Sequence, residues 1–167
     1  MKSIRNIAFS ALLTFGAFGA ITYTACNKDE CKDVVCQNGG TCSEGNCTCP
    51  TGYEGTNCET LSRTKFIGTW TGSDICTINT YNVTLTISTS SNEINALVAN
   101  PGGFGGSVTI TGTVSATNKL TFTNQSVGGG RTLNGTMTIT ANVLEFEYTV
   151  TEATGVADQC TGTYGKQ

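Results

Sequence analysis

The sequence of 167 residues lacks histidine, and it has few prolines, one tryptophan and few charged side chains. Without an imidazole, the chain can form neither a Ser-His-Asp triad nor a Cys-His dyad, and it offers no histidine ligand to a metal. Charged residues make up 13% of the chain, about half of the roughly 25% usual in soluble domains. The net charge of −3 comes without a basic cluster, which argues against a nucleic-acid partner.

The first 25 residues have the pattern of an export signal. Lys2 and Arg5 give a positive start, and the apolar run over residues 7–21 has the length of a signal-peptide core rather than a membrane span. The run ends in Tyr23-Thr24-Ala25-Cys26, which resembles the bacterial lipoprotein signal. That resemblance implies cleavage before Cys26 and a lipid on its sulfur. A plain secretory signal is the alternative.

Residues 26–30 form a short tether. Its stretch Asn27-Lys28-Asp29-Glu30 resembles the surface-export signal of lipoproteins in the Bacteroidetes group, and a solvated spacer is the alternative. Removal of residues 1–25 takes away Lys2 and Arg5, which leaves 7 basic and 12 acidic residues and a net charge of −5. Because this charge does not attract anionic lipid, membrane attachment depends on the acyl chains. We therefore expect a lipid-anchored protein at the outer membrane or cell surface.

Six of the nine cysteines fall within residues 31–58. So short a segment cannot bury enough apolar surface to fold without cross-links. A zinc site would favour paired C-x-x-C ligands, which are missing here, and an exported chain meets an oxidising compartment. Three disulfides are therefore predicted, with 15 possible pairings, among Cys31, Cys36, Cys42, Cys47, Cys49 and Cys58.

Two motifs in this segment closely resemble those of an EGF-like domain. They are Cys36-Gln37-Asn38-Gly39-Gly40-Thr41-Cys42 and Cys49-Pro50-Thr51-Gly52-Tyr53-Glu54-Gly55-Thr56-Asn57-Cys58. The resemblance implies a domain over residues 31–59 that serves as a protein-contact module or spacer. It also implies the pairs Cys31–Cys42, Cys36–Cys47 and Cys49–Cys58.

Some EGF-like domains bind calcium through residues that precede the first cysteine, which here are Asn27, Asp29 and Glu30. This chain departs from that pattern because the loop at 43–46 lacks the family's Asn/Asp and aromatic pair. Asn27 also adjoins the predicted lipidated Cys26. We therefore expect no metal and no cofactor.

After a linker at residues 60–64, residues 65–167 alternate apolar side chains with threonine and show no helical periodicity. This alternation predicts strands with one buried and one solvated face, at roughly 64–72, 79–88, 93–99, 107–115, 119–126, 132–141, 143–151 and 159–165. The predicted inward set contains no charged residue: Phe66, Trp70, Val83, Leu85, Ile87, Val108, Ile110, Val114, Leu120, Phe122, Leu133, Met137, Ile139, Leu144, Phe146, Tyr148, Val150 and Tyr164.

The connections after the first, third, fifth and seventh strands are long or glycine-rich, at 72–78, 100–106, 127–131 and 152–158. In an up-and-down meander these connections gather at one end, which predicts an all-β fold with an eight-stranded antiparallel barrel and one loop-framed mouth. A β-sandwich is the alternative. Closure would bring the first and last strands together, so a disulfide between Cys76 and Cys160 is predicted across the seam, and two unrelated buried thiols are the alternative.

The eight strands and the motif Gly68-Thr69-Trp70 resemble the lipocalin-like (calycin) barrels, in which a Gly-x-Trp on the first strand plugs the closed end. The resemblance implies the same barrel over residues 65–167. Its interior is either a packed core or, near the mouth, a pocket for a small apolar ligand.

These features together predict a membrane-anchored surface lipoprotein that acts as a binding or adhesion module. The long barrel loops would face outward toward a protein or glycan partner, with Phe104 and Arg131 as the contact candidates. A lipocalin-like carrier of a small apolar ligand is the alternative. Enzymatic activity is not expected, because the carboxylates are scattered and Glu145 and Glu147 lie on the predicted solvated face.

Overall fold

A computed structural model of the protein describes residues 30–167. The predicted export signal, Cys26, Asn27 and Asp29 lie outside the described residues. Within them, no helix is both long enough and apolar enough to cross a bilayer. The fold of this described part is all-β, and helical structure within residues 30–167 is confined to two short 3-10 turns, Ser62–Phe66 and Pro101–Gly103.

The N-terminal region is a small disulfide-rich module. It contains two hairpins, formed by β1 (Thr41–Ser43) with β2 (Asn46–Thr48) and by β3 (Tyr53–Glu54) with β4 (Thr60–Leu61). Its disulfides join Cys31 to Cys42, Cys36 to Cys47 and Cys49 to Cys58, which are the pairs that the EGF-like resemblance implies. Each bridge closes a short loop and contributes roughly 3 kcal/mol in the chain-entropy model.

Eight strands form a closed antiparallel barrel in which each strand pairs with the next one along the chain and the last pairs with the first. This arrangement confirms the up-and-down barrel and excludes the β-sandwich. The strands are β5 (Gly68–Cys76), β6 (Thr80–Thr89), β7 (Asn95–Ala99), β8 (Thr109–Ala116), β9 (Lys119–Ser126), β10 (Thr132–Thr140), β11 (Val143–Thr151) and β12 (Ala157–Lys166).

The barrel closes between β5 and β12. Their register runs from the pair Cys76 and Cys160 to the pair Trp70 and Lys166, and Cys76 is bonded to Cys160. The predicted clasp is therefore present. It joins two strands that become neighbours only because the sheet closes on itself.

The apolar faces of the strands form a single core inside the barrel. All of the predicted inward residues are buried except Val108, which is partly buried against that core. The structure adds Ala96, Val98, Val127 and Cys160 to the buried set. Burial of these side chains supplies the main favourable free energy of the fold.

The prediction for the first strand was wrong in its bounds and in its inward face. The strand was expected at 64–72 and followed by a long loop at 72–78, whereas β5 continues to Cys76 and only residues 77–79 connect it to β6. Asp74 lies on this extension and is fully buried inside the barrel, so the interior does contain a charged residue. Its burial is possible because the hydroxyls of Tyr148 and Tyr164 donate hydrogen bonds to its carboxylate.

Aromatic rings fill the middle of the barrel, and glycines on neighbouring strands make room for them. A Cβ atom on Gly112 would lie 2.6 Å from the ring of Phe122, and one on Gly135 would lie 2.6 Å from Cβ of Tyr148. The ring centroids of Phe122 and Phe146 are 5.3 Å apart, and those of Phe146 and Tyr148 are 4.4 Å apart. The barrel centre is therefore a packed core.

The closed end is sealed by the 3-10 helix Ser62–Phe66. The indole N–H of Trp70 donates to the carbonyl of Phe66 at 2.7 Å, and the ammonium of Lys166 lies 5.3 Å from the centre of the indole ring. The helix also carries Arg63, which is only 8% exposed. The connection from the disulfide-rich module to the barrel is therefore part of the folded structure.

Candidate binding site at the barrel mouth

The mouth is framed by the connections 77–79, 100–108, 127–131 and 152–156, while the connections 90–94, 117–118 and 141–142 lie at the other end. Two of the mouth loops meet, since a Cβ on Gly130 would lie 3.2 Å from Cβ of Ala153. A third folds over β6, where a Cβ on Gly103 would lie 3.5 Å from Val83. The loops therefore cover part of the opening.

A cavity of about 330 Å³ remains between these loops. Its floor is the Cys76–Cys160 disulfide together with Tyr148 and Val150. The Tyr148 hydroxyl lies 4.0 Å from the Cys76 sulfur. The cavity is further lined by apolar and aromatic side chains and by three charged ones, namely Ile78, Tyr81, Phe104, Val156, Arg131, Glu152 and Asp158.

The structure brings together the two predicted contact residues, Phe104 and Arg131, from different loops. The guanidinium carbon of Arg131 lies 4.8 Å from the ring centre of Phe104, within the range of a cation–π interaction. The Nε–H of Arg131 also donates to the carbonyl of Gly128 at 3.1 Å. Phe104 is partly buried against the core, so it forms part of the cavity wall rather than a free loop tip.

Large apolar side chains are exposed around this opening. Ile78 is 67% exposed, Val156 is 61% exposed and Tyr81 is 42% exposed, and all three line the cavity. Ile75 in β5 is 66% exposed as well, but it lines a separate groove on the outer wall of the barrel. Clusters of exposed apolar side chains commonly mark binding surfaces.

Two carboxylates, Glu152 and Asp158, also line the cavity, and the sequence reasoning missed them because it placed residues 152–158 in a loop. One oxygen of Asp158, Oδ1, is buried and has no hydrogen-bond partner among residues 30–167. The two-residue alternation of the strands could have identified both carboxylates as facing the barrel interior. Asp158 precedes the inward Cys160 by two residues, and Glu152 follows the inward Val150 by two.

No family model matches this chain, and no curated protein matches it.

Asp74 lies just beneath the mouth and holds two tyrosines of the core in place. Burial raises the pKa of its carboxyl, and the hydrogen bonds from Tyr148 and Tyr164 oppose that rise. Burial also raises the pKa values of both tyrosines far above their ordinary value, and the Asp74 carboxylate adds to the effect. Both phenols therefore stay protonated and act as hydrogen-bond donors to Asp74.

The cavity floor is not a metal centre. Oxygen and sulfur atoms of Cys76, Asp158 and Cys160 lie within 4.8 Å of one another. Both sulfurs belong to the disulfide, however, and metal binding requires thiolates. This cluster therefore offers a single carboxylate to an ion.

The described residues contain a larger depression of about 770 Å³ on the outer wall of the barrel. It is an open groove, and polar residues such as Thr121, Asn134, Thr136 and Gln159 supply much of its lining. The mouth cavity differs because it is more enclosed and combines exposed apolar side chains with charges of both signs. This combination suits molecular recognition, so the mouth is the candidate site.

Proposed function

We propose that this chain is a bacterial surface lipoprotein, anchored through Cys26, whose barrel mouth binds a protein or glycan partner. The exposed Ile78, Tyr81 and Val156, which line the mouth cavity, carry the proposal. On this reading, the disulfide-rich module is an EGF-like spacer and the barrel is lipocalin-like.

The arrangement of the module supports an outward-facing mouth. Tyr53 of the module donates a hydrogen bond of 2.7 Å to Glu93 in the β6–β7 connection, at the end of the barrel opposite the mouth. The Lys65 ammonium forms an ion pair of 2.7 Å with Glu54 of the module. Because the anchor would precede the module, the mouth would point away from the membrane.

A carrier of a small apolar ligand is the second candidate, and the cavity of about 330 Å³ favours it. The packed rings in the middle of the barrel would confine such a ligand to the mouth. Native mass spectrometry of the full chain would detect a co-purified apolar molecule and would favour the carrier.

Site-specific photo-crosslinking on intact cells tests where the partner binds. A photoreactive residue at Ile78 marks the mouth, and one at Val143 provides a control that is 43% exposed and lies at the opposite end of the barrel. We expect crosslinked products from position 78 in clear excess over those from position 143. Equal capture at the two positions would contradict a mouth-centred binding site.

The anchor is tested separately by labelling cells with radioactive palmitate. The wild-type chain should incorporate the label, and Cys26→Ala should lose both the label and its membrane partitioning. Unchanged membrane partitioning of this variant would rule out the proposed anchor.

A further inference from the structure

We propose that the mouth cavity recognises a primary ammonium group on an apolar stem, an inference that rests on the mouth being the binding surface. Two sources share this chemistry, the lysine side chain of a protein partner and a free alkylamine. The charge distribution, the unpartnered oxygen of Asp158 and the apolar walls carry the inference.

The cavity has more negative than positive charge available to a ligand. Glu152 and Asp158 both line it, and neither forms an ion pair, since the ion pair between Lys65 and Glu54 is the only one within residues 30–167. The single cation, Arg131, already lies over Phe104 and donates to the carbonyl of Gly128. A cationic ligand would therefore be favoured over an anionic one.

Asp158 also lacks a hydrogen-bond donor. Its Oδ1 is buried without a partner among the described residues, and a buried acceptor without a donor costs free energy. A carboxylate oxygen of Asp158 lies within 4.8 Å of both sulfurs of the floor disulfide. An ammonium group, which has three N–H donors, could bond to the carboxylate of Asp158, which lines the cavity.

The walls suit the rest of such a ligand. Ile78 and Val156 offer apolar surface to an alkyl stem, and the ring of Tyr81 can face either the stem or the cation. A cavity of about 330 Å³ is large enough for a short alkylammonium. The site therefore offers apolar contact along the stem and carboxylates for the head group.

Binding of matched six-carbon probes tests this chemistry on the full chain in a non-ionic detergent. Amide chemical shifts would be followed during titration with hexylammonium, hexanol and hexanoate. We expect hexylammonium to bind about tenfold more tightly than hexanol, because hydrogen bonds to charged groups are the stronger ones, and hexanoate to bind most weakly. Equal affinity for hexylammonium and hexanol, or a preference for hexanoate, would overturn the inference.

Neutral variants locate the interaction. Asp158→Asn and Glu152→Gln should each weaken hexylammonium binding by about fivefold and hexanol binding by less, since a neutral hydroxyl bonds to a carboxylate more weakly than an ammonium does. Glu145→Gln makes the same charge change at an exposed position on the outer wall and should leave both affinities unchanged. A loss in Glu145→Gln equal to that in the mouth variants would overturn the inference. If Asp158→Asn does not fold, Glu152→Gln carries the test.

Further measurements distinguish a lysine of a protein partner from a free amine as the source of the ammonium. They also distinguish failure of this inference from failure of the proposed macromolecular partner. Tighter binding of N-acetyl-lysine methylamide than of hexylammonium would indicate a lysine of a protein partner, and the reverse order would indicate a free amine. Crosslinking at position 78 without a preference for hexylammonium would overturn this inference alone. An ammonium preference without crosslinking at position 78 would instead overturn the macromolecular partner.

Discussion

Asp74 is the residue whose position is least expected from its type. Its carboxylate is fully buried, yet it accepts hydrogen bonds from the buried hydroxyls of Tyr148 and Tyr164. The unfavourable free energy of burying the Asp74 charge is therefore opposed by the favourable hydrogen bonds from the two tyrosine hydroxyls. The raised pKa of Asp74 indicates that burial outweighs the hydrogen bonds.

This raised pKa predicts how stability depends on pH. The folded protein binds the Asp74 proton more tightly than the unfolded chain does, because the folded pKa lies above the ordinary value of 3.8. The contribution of Asp74 to the free energy of unfolding is therefore largest below pH of about 4 and falls as the pH rises toward the folded pKa. Urea unfolding between pH 4 and pH 7 should show this fall in the wild type, and Asp74→Asn should lack it.

Glu145→Gln is the control for this prediction, because Glu145 is exposed on the outer face of β11. Its pH profile should run parallel to that of the wild type. Parallel profiles for the wild type and Asp74→Asn would contradict the assigned role of burial.

At the residue scale, alternation predicts the apolar interior well and the charged interior poorly. Residues such as Leu144, Phe146 and Tyr148 are inward because they are apolar at every second position. Asp74 follows the same two-residue period, but a charged side chain is ordinarily predicted to be exposed to solvent. The tyrosines that satisfy it lie 74 and 90 residues away along the chain, so no local pattern could identify them.

At the scale of the strands, glycines leave space for large side chains of the neighbouring strand. Glycine usually weakens a strand interior, since it has no side chain to pack. In β10, however, a Cβ on Gly135 would lie 2.5 Å from the carbonyl oxygen of Glu147 and 2.6 Å from Cβ of Tyr148. The aromatic filling of the barrel therefore depends on glycines that the alternation of apolar residues does not reveal.

Gly135→Ala should lower the free energy of unfolding by about 1–3 kcal/mol, because the added methyl group overpacks the core beside Tyr148. Gly165→Ala in β12 is the matched control, since a Cβ there has no neighbour within 4 Å. The control should change stability by about 0.5 kcal/mol at most. Chemical denaturation of both variants measures the difference, and equal losses would refute the packing role of Gly135.

The closure of β5 against β12 gives a second prediction at this scale. The Cys76–Cys160 disulfide closes a loop with a sequence separation of 84. The double variant Cys76→Ala, Cys160→Ala should lose about 2–4 kcal/mol of unfolding free energy, because the bridge restricts the unfolded chain. The far-ultraviolet circular dichroism should stay that of a β-protein, since backbone pairing between the two strands remains. An unchanged denaturation midpoint would contradict this role.

For the whole molecule, the order of the parts could be predicted from the sequence, but their junction could not. Cysteine spacing and strand alternation separate the module from the barrel, and both patterns lie within short stretches of chain. The junction depends on Arg63, whose Nη1 donates to the backbone carbonyls of Ser90, Asn92 and Asn95 at 2.8, 2.6 and 2.8 Å. Every residue carries a carbonyl, so nothing in the sequence marks these three as acceptors.

Arg63→Met should loosen the module from the barrel. The variant keeps a long apolar stem but removes a buried guanidinium whose Nη1 lies within hydrogen-bond distance of three carbonyl oxygens, which predicts a loss of about 2–4 kcal/mol. Amide ¹⁵N relaxation should then show the module tumbling faster than the barrel, whereas the two should tumble together in the wild type. Lys65→Met removes only the partly exposed ion pair with Glu54, which is worth about 0–1 kcal/mol, and should retain joint tumbling. Joint tumbling in Arg63→Met would mean that other contacts suffice to hold the mouth at a fixed angle to the module.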